Sequence, residues 1–292
     1  MKCAPRLAAW CGSLVIAMAA QAADTVLPSV VSTNVCADAL ALSLADDAQL
    51  LSVSAQARDP RLSPLAGRAA RFPINHGHGA LEEILEQKPD VVLISSAWRG
   101  RRQAALLQSQ GIALKVVPFP LSWEAIFADT RRVGGWLGRE DAAEARVADV
   151  QRRLQRLKET PRPFKALHVR PNGRCAGKGT QIDRVFEAAG VTNHADALGC
   201  TGWGQLSLEK LLADPPDFFV VVDGIRRETA HARSFPARHP LMRQLMERRS
   251  VIQVSGTHWG CSNWLLIEAA EEIAAEIDRL TASPSPLTAD GS

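Results

Sequence analysis

Two stretches of this chain carry the same phrase, and that repetition constrains the fold more than any other feature. "LEEILEQKPDVVLI" begins at Leu81 and "LEKLLADPPDFFVV" begins at Leu208. In each, Leu-Glu opens a run with apolar residues at helical spacing; Leu81, Ile84 and Leu85 share one helix face. A Pro-Asp pair then stops the helix, because the residue before proline is pushed out of helical conformation. The apolar runs that follow, "VVLIS" and "FFVVV", are short and rich in β-branched or aromatic residues, the mark of a strand buried on both faces of a parallel sheet. Ser207 is placed to cap the second helix. A helix feeding a buried strand, written twice, predicts two similar α/β lobes.

The flanking segments fit that plan. "SVVSTN" reads as a strand leading into the helix "ADALALSLA", and "LLSVS" and "GIALKVVPF" read as further strands of the first half. In the second half "KALHVRP" and "SVIQVS" read as strands, "TQIDRVFEAAG" as a helix closed by Gly190, and "SNWLLIEAAEEIAAEIDRL" as a long amphipathic helix. The halves are joined by "SWEAIFADTRRVGGWLGREDAAEARVADVQRRLQRLKE". It is helical in character apart from Gly134, Gly135 and Gly138, with one stripe at Ile126, Thr130 and Val133 and another at Val147, Val150, Leu154 and Leu157. A flexible linker would be rich in Gly, Ser or Pro; this one predicts a stiff helical spine.

The fold class expected is therefore α/β: two Rossmann-like lobes, each with a mostly parallel sheet flanked by helices, joined by a long rigid helix. The organisation expected is a signal peptide at 1–22, an N-terminal lobe at 23–120, a spine at 121–160, a C-terminal lobe at 161–281 and a disordered tail at 282–292. The signal peptide rests on Lys2 and Arg6 ahead of an apolar run ending in small residues, with Ala20-Gln21-Ala22 as the cleavage site. That run is short for a membrane span. With 46% hydrophobic and 22% charged residues the chain can bury a real core, and a net charge of +3 points away from nucleic acid. Export implies an oxidising compartment. Cys36, Cys175, Cys200 and Cys261 remain after the signal, and the sequence leaves their pairing open. Cys175 with Cys200 would stiffen the second lobe; Cys36 with Cys261 would tie the lobes together.

With the twin phrases, the spine and the export signal, "VVSTNVCADALALSLA", "AGKGTQIDRVFEAAGVTNHA", "GWGQLSLEKLLADPPD" and "HPLMRQL" complete a resemblance. The chain resembles the helical-backbone class of periplasmic substrate-binding proteins, which serve ABC importers for cobalamin, iron-siderophores and haem, and most of all its cobalamin-type branch. The resemblance covers about Val30 to Leu280. It implies a monomer in the periplasm that hands its cargo to an ABC permease dimer of the inner membrane, with separate ATPase subunits. It also implies that Glu82 and Glu209, one per lobe, dock on basic residues of that dimer; two matched carboxylates suit a two-fold surface. The ordinary alternative is a pair of solvated glutamates in first helical turns, where negative charge is favoured anyway.

Ligands of open α/β sheets bind outside the carboxyl ends of the strands. The candidates on those loops are Asn34, Cys36, Gln56, Arg58, Asn75, His76, His78, Trp98 and Arg99 in the first half. In the second they are Arg170, Asn172, Arg174, Cys175, Trp203, Arg226, Arg227, His258, Trp259 and Cys261. Trp supplies flat faces for a conjugated or macrocyclic ligand and Arg pairs with carboxylates or phosphates. Trp203 and Trp259 stand where the cobalamin-binding member is tryptophan-bearing, whereas its stacking Trp in the first lobe is replaced here by Asn75 or His76. That departure points to a related chelate. No resident cofactor is expected; the cargo would carry any metal, cobalt or iron. A direct metal site from His76, His78 and His258, with Cys36 and Cys261 across the cleft, is the rival arrangement. His168, His194 and His239 read as structural or surface residues.

Two other functions stand beside this one. A bare-ion binder for a zinc- or manganese-type importer would bring several His and carboxylates together, often with a His-rich loop, and that loop is missing. A secreted enzyme would need a pair such as Cys36 and His76, and no nucleophile elbow or His-Glu-x-x-His helix is present. "GRCAGKGT" lacks the ending of a phosphate loop.

Overall fold

The computed structural model describes residues 26–77, 81–98, 102–170, 173–222 and 240–282. The segment read as a signal peptide lies outside them. So do the tail beyond Ala282, His78, Arg99, Asn172, Arg226, Arg227 and His239.

Two separate parallel sheets are present. In the first lobe β1 (Val30–Ser32), β2 (Leu50–Ser54), β3 (Ile74–Asn75), β4 (Val91–Ile94) and β5 (Ala113–Val116) lie in the order β3-β2-β1-β4-β5, every pairing parallel. Helices α1 (Val35–Leu44), α2 (Ala66–Ala69), α3 (Leu81–Gln87) and α4 (Arg102–Ser109) connect them. In the second lobe β6 (Lys165–His168), β8 (Thr192–Asn193), β10 (Phe218–Val222) and β11 (Ser250–Val254) form a parallel sheet in the order β11-β10-β6-β8. A ribbon of β7 (Arg174–Ala176) and β9 (Trp203–Gln205) runs antiparallel beside it. Its helices are α7 (Gln181–Ala188), α8 (Leu208–Ala213), α9 (Pro240–Arg248), α10 (Gly256–Trp259) and α11 (Leu266–Ala282).

The repeated phrase is α3 feeding β4 and α8 feeding β10, and the Ser207 hydroxyl caps α8 by accepting from the Lys210 amide. β4 is buried along its whole length, as a strand covered on both faces must be.

The joining segment is two helices rather than one continuous rod. α5 (Trp123–Leu137) ends at Gly138, whose φ of 64° lies in the left-handed region that favours glycine. α6 (Glu140–Lys158) then packs against it, with Arg131 paired to Glu144 at 2.6 Å and Gly134 so close to Ala143 that a side chain there would collide. The stiff member is α6, whose 19 residues span about 28 Å. Its buried stripe of Ala143, Val147, Val150, Leu154 and Leu157 faces the core, and Arg153 pairs with Glu268 and Glu271 on α11. One apolar core runs from α1 and β1 through α5 and α6 to α11, so the spine is part of the packing of both lobes. Smaller clusters sit under each outer face: Val31, Ile84, Ile94, Trp98 and Leu107 in the first lobe, and Leu167, Cys175, Cys200, Phe219 and Met242 in the second.

Candidate ligand-binding cleft

In the first sheet the chain's progress across the strands reverses between β1 and β4, and in the second between β6 and β10. Crevices open at the carboxyl ends of such pairs. The first carries Asn34 and Ser95, the second His168 and Arg170.

A cavity of about 340 Å³ lies at the first crevice. Its wall is Asn34, Cys36, Ser95 and Ser96 at the ends of β1 and β4, Pro118 and Phe119 after β5, and Arg132 and Trp136 on α5. Asn34 is the N-cap of α1, its Oδ1 accepting from the amides of Cys36 and Ala37 at 3.2 Å. That leaves its buried Nδ2, and likewise the buried Ser95 hydroxyl, without a hydrogen-bond partner among the described residues. Behind the wall is a closed polar network. Asp38, fully buried, accepts from the hydroxyls of Ser32 and Ser54 and from the Ser54 amide at 3.0 Å. Burial pushes its carboxyl up to about 6, against the pull of those bonds.

The second crevice is aromatic. His168 ends β6 and its Nδ1 donates to the Val220 carbonyl at 3.0 Å. Burial drives its pKa down to about 4, so the ring is neutral. The rings of Trp203 and Trp259 meet it edge-on at 6.1 and 5.4 Å, and Phe186 stands behind Trp259. The guanidinium of the exposed Arg170 lies 4.1 Å over the Trp203 ring. Arg174 donates to the Trp203 carbonyl, and the Cys175–Cys200 disulfide staples β7 to the turn before β9. A second disulfide, Cys36–Cys261, joins the lobes. Ring contacts thus run from Trp203 through His168 to Trp259, two positions before Cys261, whose bridge reaches Cys36 in the cavity wall.

Several expected site residues serve the framework instead. Asn75 is fully buried, donating to the Ser32 carbonyl and the Ser52 hydroxyl and accepting from the Gly77 amide; it ties strands together and has nothing left for a ligand. Trp98 is fully buried among Ile84, Ile94 and Leu107 and offers no face. Trp259 is 5% exposed and acts as a packing residue beneath His168. Arg58 holds the carbonyls of Ala69 and Phe72, and Gln56 accepts from the Val35 amide. The direct metal site loses its thiols, because Cys36 and Cys261 are bonded to each other. His76 is paired through Nδ1 with Glu83, and His258 stands 3.8 Å from Glu272. Among the described residues no three His, Cys, Asp or Glu side chains gather as a metal cage requires.

Glu82 and Glu209 are both exposed, in the first turns of α3 and α8. A helix that feeds a parallel strand starts at the carboxyl end of the sheet, so both carboxylates lie on the cleft side of their lobes. The crevice residues missed from sequence are Ser95, Pro118, Phe119, Arg132, Trp136 and Asp38, whereas His168, read as structural or surface, is buried and structural. Pro118 and Phe119 directly follow "LKVV", so the strand-end rule reaches them.

Residues 30–245 match the family described as periplasmic binding protein. No curated protein sequence matches the chain. Solved structures do. The periplasmic heme-binding protein RhuT from Roseiflexus sp. RS-1 is 21% identical with a TM-score of 0.64, covering 85% of this chain and 98% of its own. The vitamin B12 binding protein BtuF of Vibrio cholerae is 16% identical with a TM-score of 0.62, covering 88% and 99%. A periplasmic heme binding protein from Pseudomonas aeruginosa is 22% identical with a TM-score of 0.64, covering 90% and 96%. Two parallel sheets with crevices at their strand ends, a long helix between them and a family match over most of the chain lead to one assignment: the chain belongs to the periplasmic binding protein family.

Proposed function

We propose that this protein is the solute-binding component of an ABC importer, exported to the periplasm, where it captures a metal chelate of the haem or cobalamin class between its lobes. The single observation that carries this reading is the second crevice, where Arg170 lies over Trp203 above a neutral His168. The exposed Arg170 swings off the indole to pair with the carboxylates or phosphate such molecules bear, and the indole face it uncovers takes up a conjugated or corrin-like ring. Buried unpaired donors at Asn34 and Ser95 supply polar contacts from the first lobe. The haem- and B12-binding neighbours support the same ligand class. The protein works as a monomer and returns its cargo chemically unchanged. Glu82 and Glu209 dock it on a permease dimer, whose separate ATPase subunits do the work.

The test is a titration of intrinsic tryptophan fluorescence with cobalamin, cobinamide, haem and ferric chelates. Saturable binding of one of the four, at one ligand per chain, is expected; no binding of any refutes the reading. In cells, Glu82→Lys with Glu209→Lys should abolish uptake while the purified variant binds as before.

A further inference from the structure

The two disulfides stand in different surroundings. Cys175 and Cys200 are 0% and 1% exposed and lie within one lobe. Cys36 and Cys261 are separated by 225 positions, come from different lobes and have their Cα atoms 5.4 Å apart. Cys261 is buried at 7% exposure, but Cys36 forms part of the cavity wall. The segment around Cys261 is firmly anchored. Ser262 donates to the carbonyl of Pro120, the residue after the cavity's Phe119, and the Arg146 guanidinium on α6 lies 4.1 Å over the Trp264 ring. The bridge therefore fastens the first turn of α1 to a turn already held on the spine. Apart from the chain itself and packing, it is the covalent link that fixes the spacing of the lobes at this seam.

We propose that Cys36–Cys261 is a reducible clamp between the lobes, opened from the cavity by a dithiol reductant, and that its state sets how far the lobes separate. The exchange is balanced. A reductant thiolate attacks the Cys36 sulfur, forming a mixed disulfide and breaking the bond to Cys261, which leaves as a thiolate and takes up a proton. The reductant's second thiolate attacks its own sulfur in the mixed disulfide, Cys36 is released as a thiol, and the reductant departs as a disulfide. Two electrons pass from the dithiol to the bridge. Cys175–Cys200 offers no such approach, because both its sulfurs belong to fully buried residues. Once the clamp opens, the Ser262–Pro120 hydrogen bond, the Arg146–Trp264 contact and the shared apolar core hold the seam among the described residues, and the lobes rock more widely about the spine.

The inference does not depend on what the cleft binds. Native protein is treated with graded dithiothreitol without denaturant, alkylated and mapped by mass spectrometry. Cys36 and Cys261 should be labelled at least tenfold faster than Cys175 and Cys200; equal or reversed rates overturn the proposal. Small-angle scattering and hydrogen exchange then compare the oxidised protein with the selectively reduced protein and with Cys36→Ser/Cys261→Ser. Both opened forms should have a larger radius of gyration and at least tenfold faster exchange across residues 116–120 and 261–265, while Cys175→Ser/Cys200→Ser leaves that seam unchanged. If the double serine variant fails to fold, the selectively reduced protein carries the comparison alone. An unchanged scattering profile in the reduced protein overturns the clamp.

Discussion

At the carboxyl end of β1 the first lobe places Ser32, Asp38 and Ser54, a buried carboxyl held by hydroxyls. At the same end of β6 the second lobe places His168 among Trp203, Trp259 and Phe186, a buried imidazole held by rings. The two lobes are both parallel α/β sheets and differ in what they put beneath the crevice at their strand ends. Each keeps a buried titratable group beside its crevice from charging easily, one by raising an acid to about 6 and the other by lowering a base to about 4. A shared α/β frame thus leaves chemistry at the strand ends free to diverge, polar on one side and aromatic on the other.

The largest expected effect separates the two tryptophans of the aromatic side. Trp259 is buried between His168 and Phe186, so Trp259→Ala should cost about 3–5 kcal/mol of stability in urea denaturation. Trp203 is only partly buried, and Trp203→Ala should cost no more than about 2 kcal/mol. Equal costs would erase the distinction between a floor residue and one that borders the crevice.

Next comes pH, where the lobes should oppose each other. The folded pKa of Asp38 is raised from 3.8 to about 6, so the stability it contributes is full below 3.8 and is lost as pH rises through 6, about 3 kcal/mol in all. His168 is depressed from 6.5 to about 4, so its contribution is present above 6.5 and is lost as pH falls through 4, again about 3 kcal/mol. Between pH 6 and 4 the two nearly cancel. Asp38→Asn should expose the His168 slope, with stability falling as pH falls from 6.5 to 4. His168→Gln should expose the Asp38 slope, with stability rising over 6 to 4. Denaturation curves at pH 4, 5, 6 and 7 decide; parallel profiles for both variants would break the comparison.

What could be read from the sequence follows the same physics. The twin helix–strand units were legible because a strand buried on both faces must be a continuous apolar run, as Val91–Ile94 and Phe218–Val222 are. Strands of two or three residues, β3, β7, β8 and β9, have too few positions to show a period. A tryptophan's type does not disclose its exposure. Trp98, Trp203 and Trp259 look alike on the page, yet two are core and one borders the crevice. Asn75 and Arg58 were expected in strand-end loops, but Asn75 ends β3 and ties strands together, and Arg58 ends a short helical turn and holds the Ala69 and Phe72 carbonyls. The spine's break at Gly138 was marked by its glycine; the folding back of α5 on α6 depends on the Gly134–Ala143 contact, which has no local signature.

The central claim is that one compact cargo is gripped from both lobes at once. The direct measurement is calorimetric titration of the wild type, Trp203→Ala in the second lobe and Phe119→Ala in the first, with whichever of the four chelates binds. The account predicts at least tenfold weaker binding for each variant, with both still folded. Wild-type affinity in either one would place the cargo on a single lobe and contradict it.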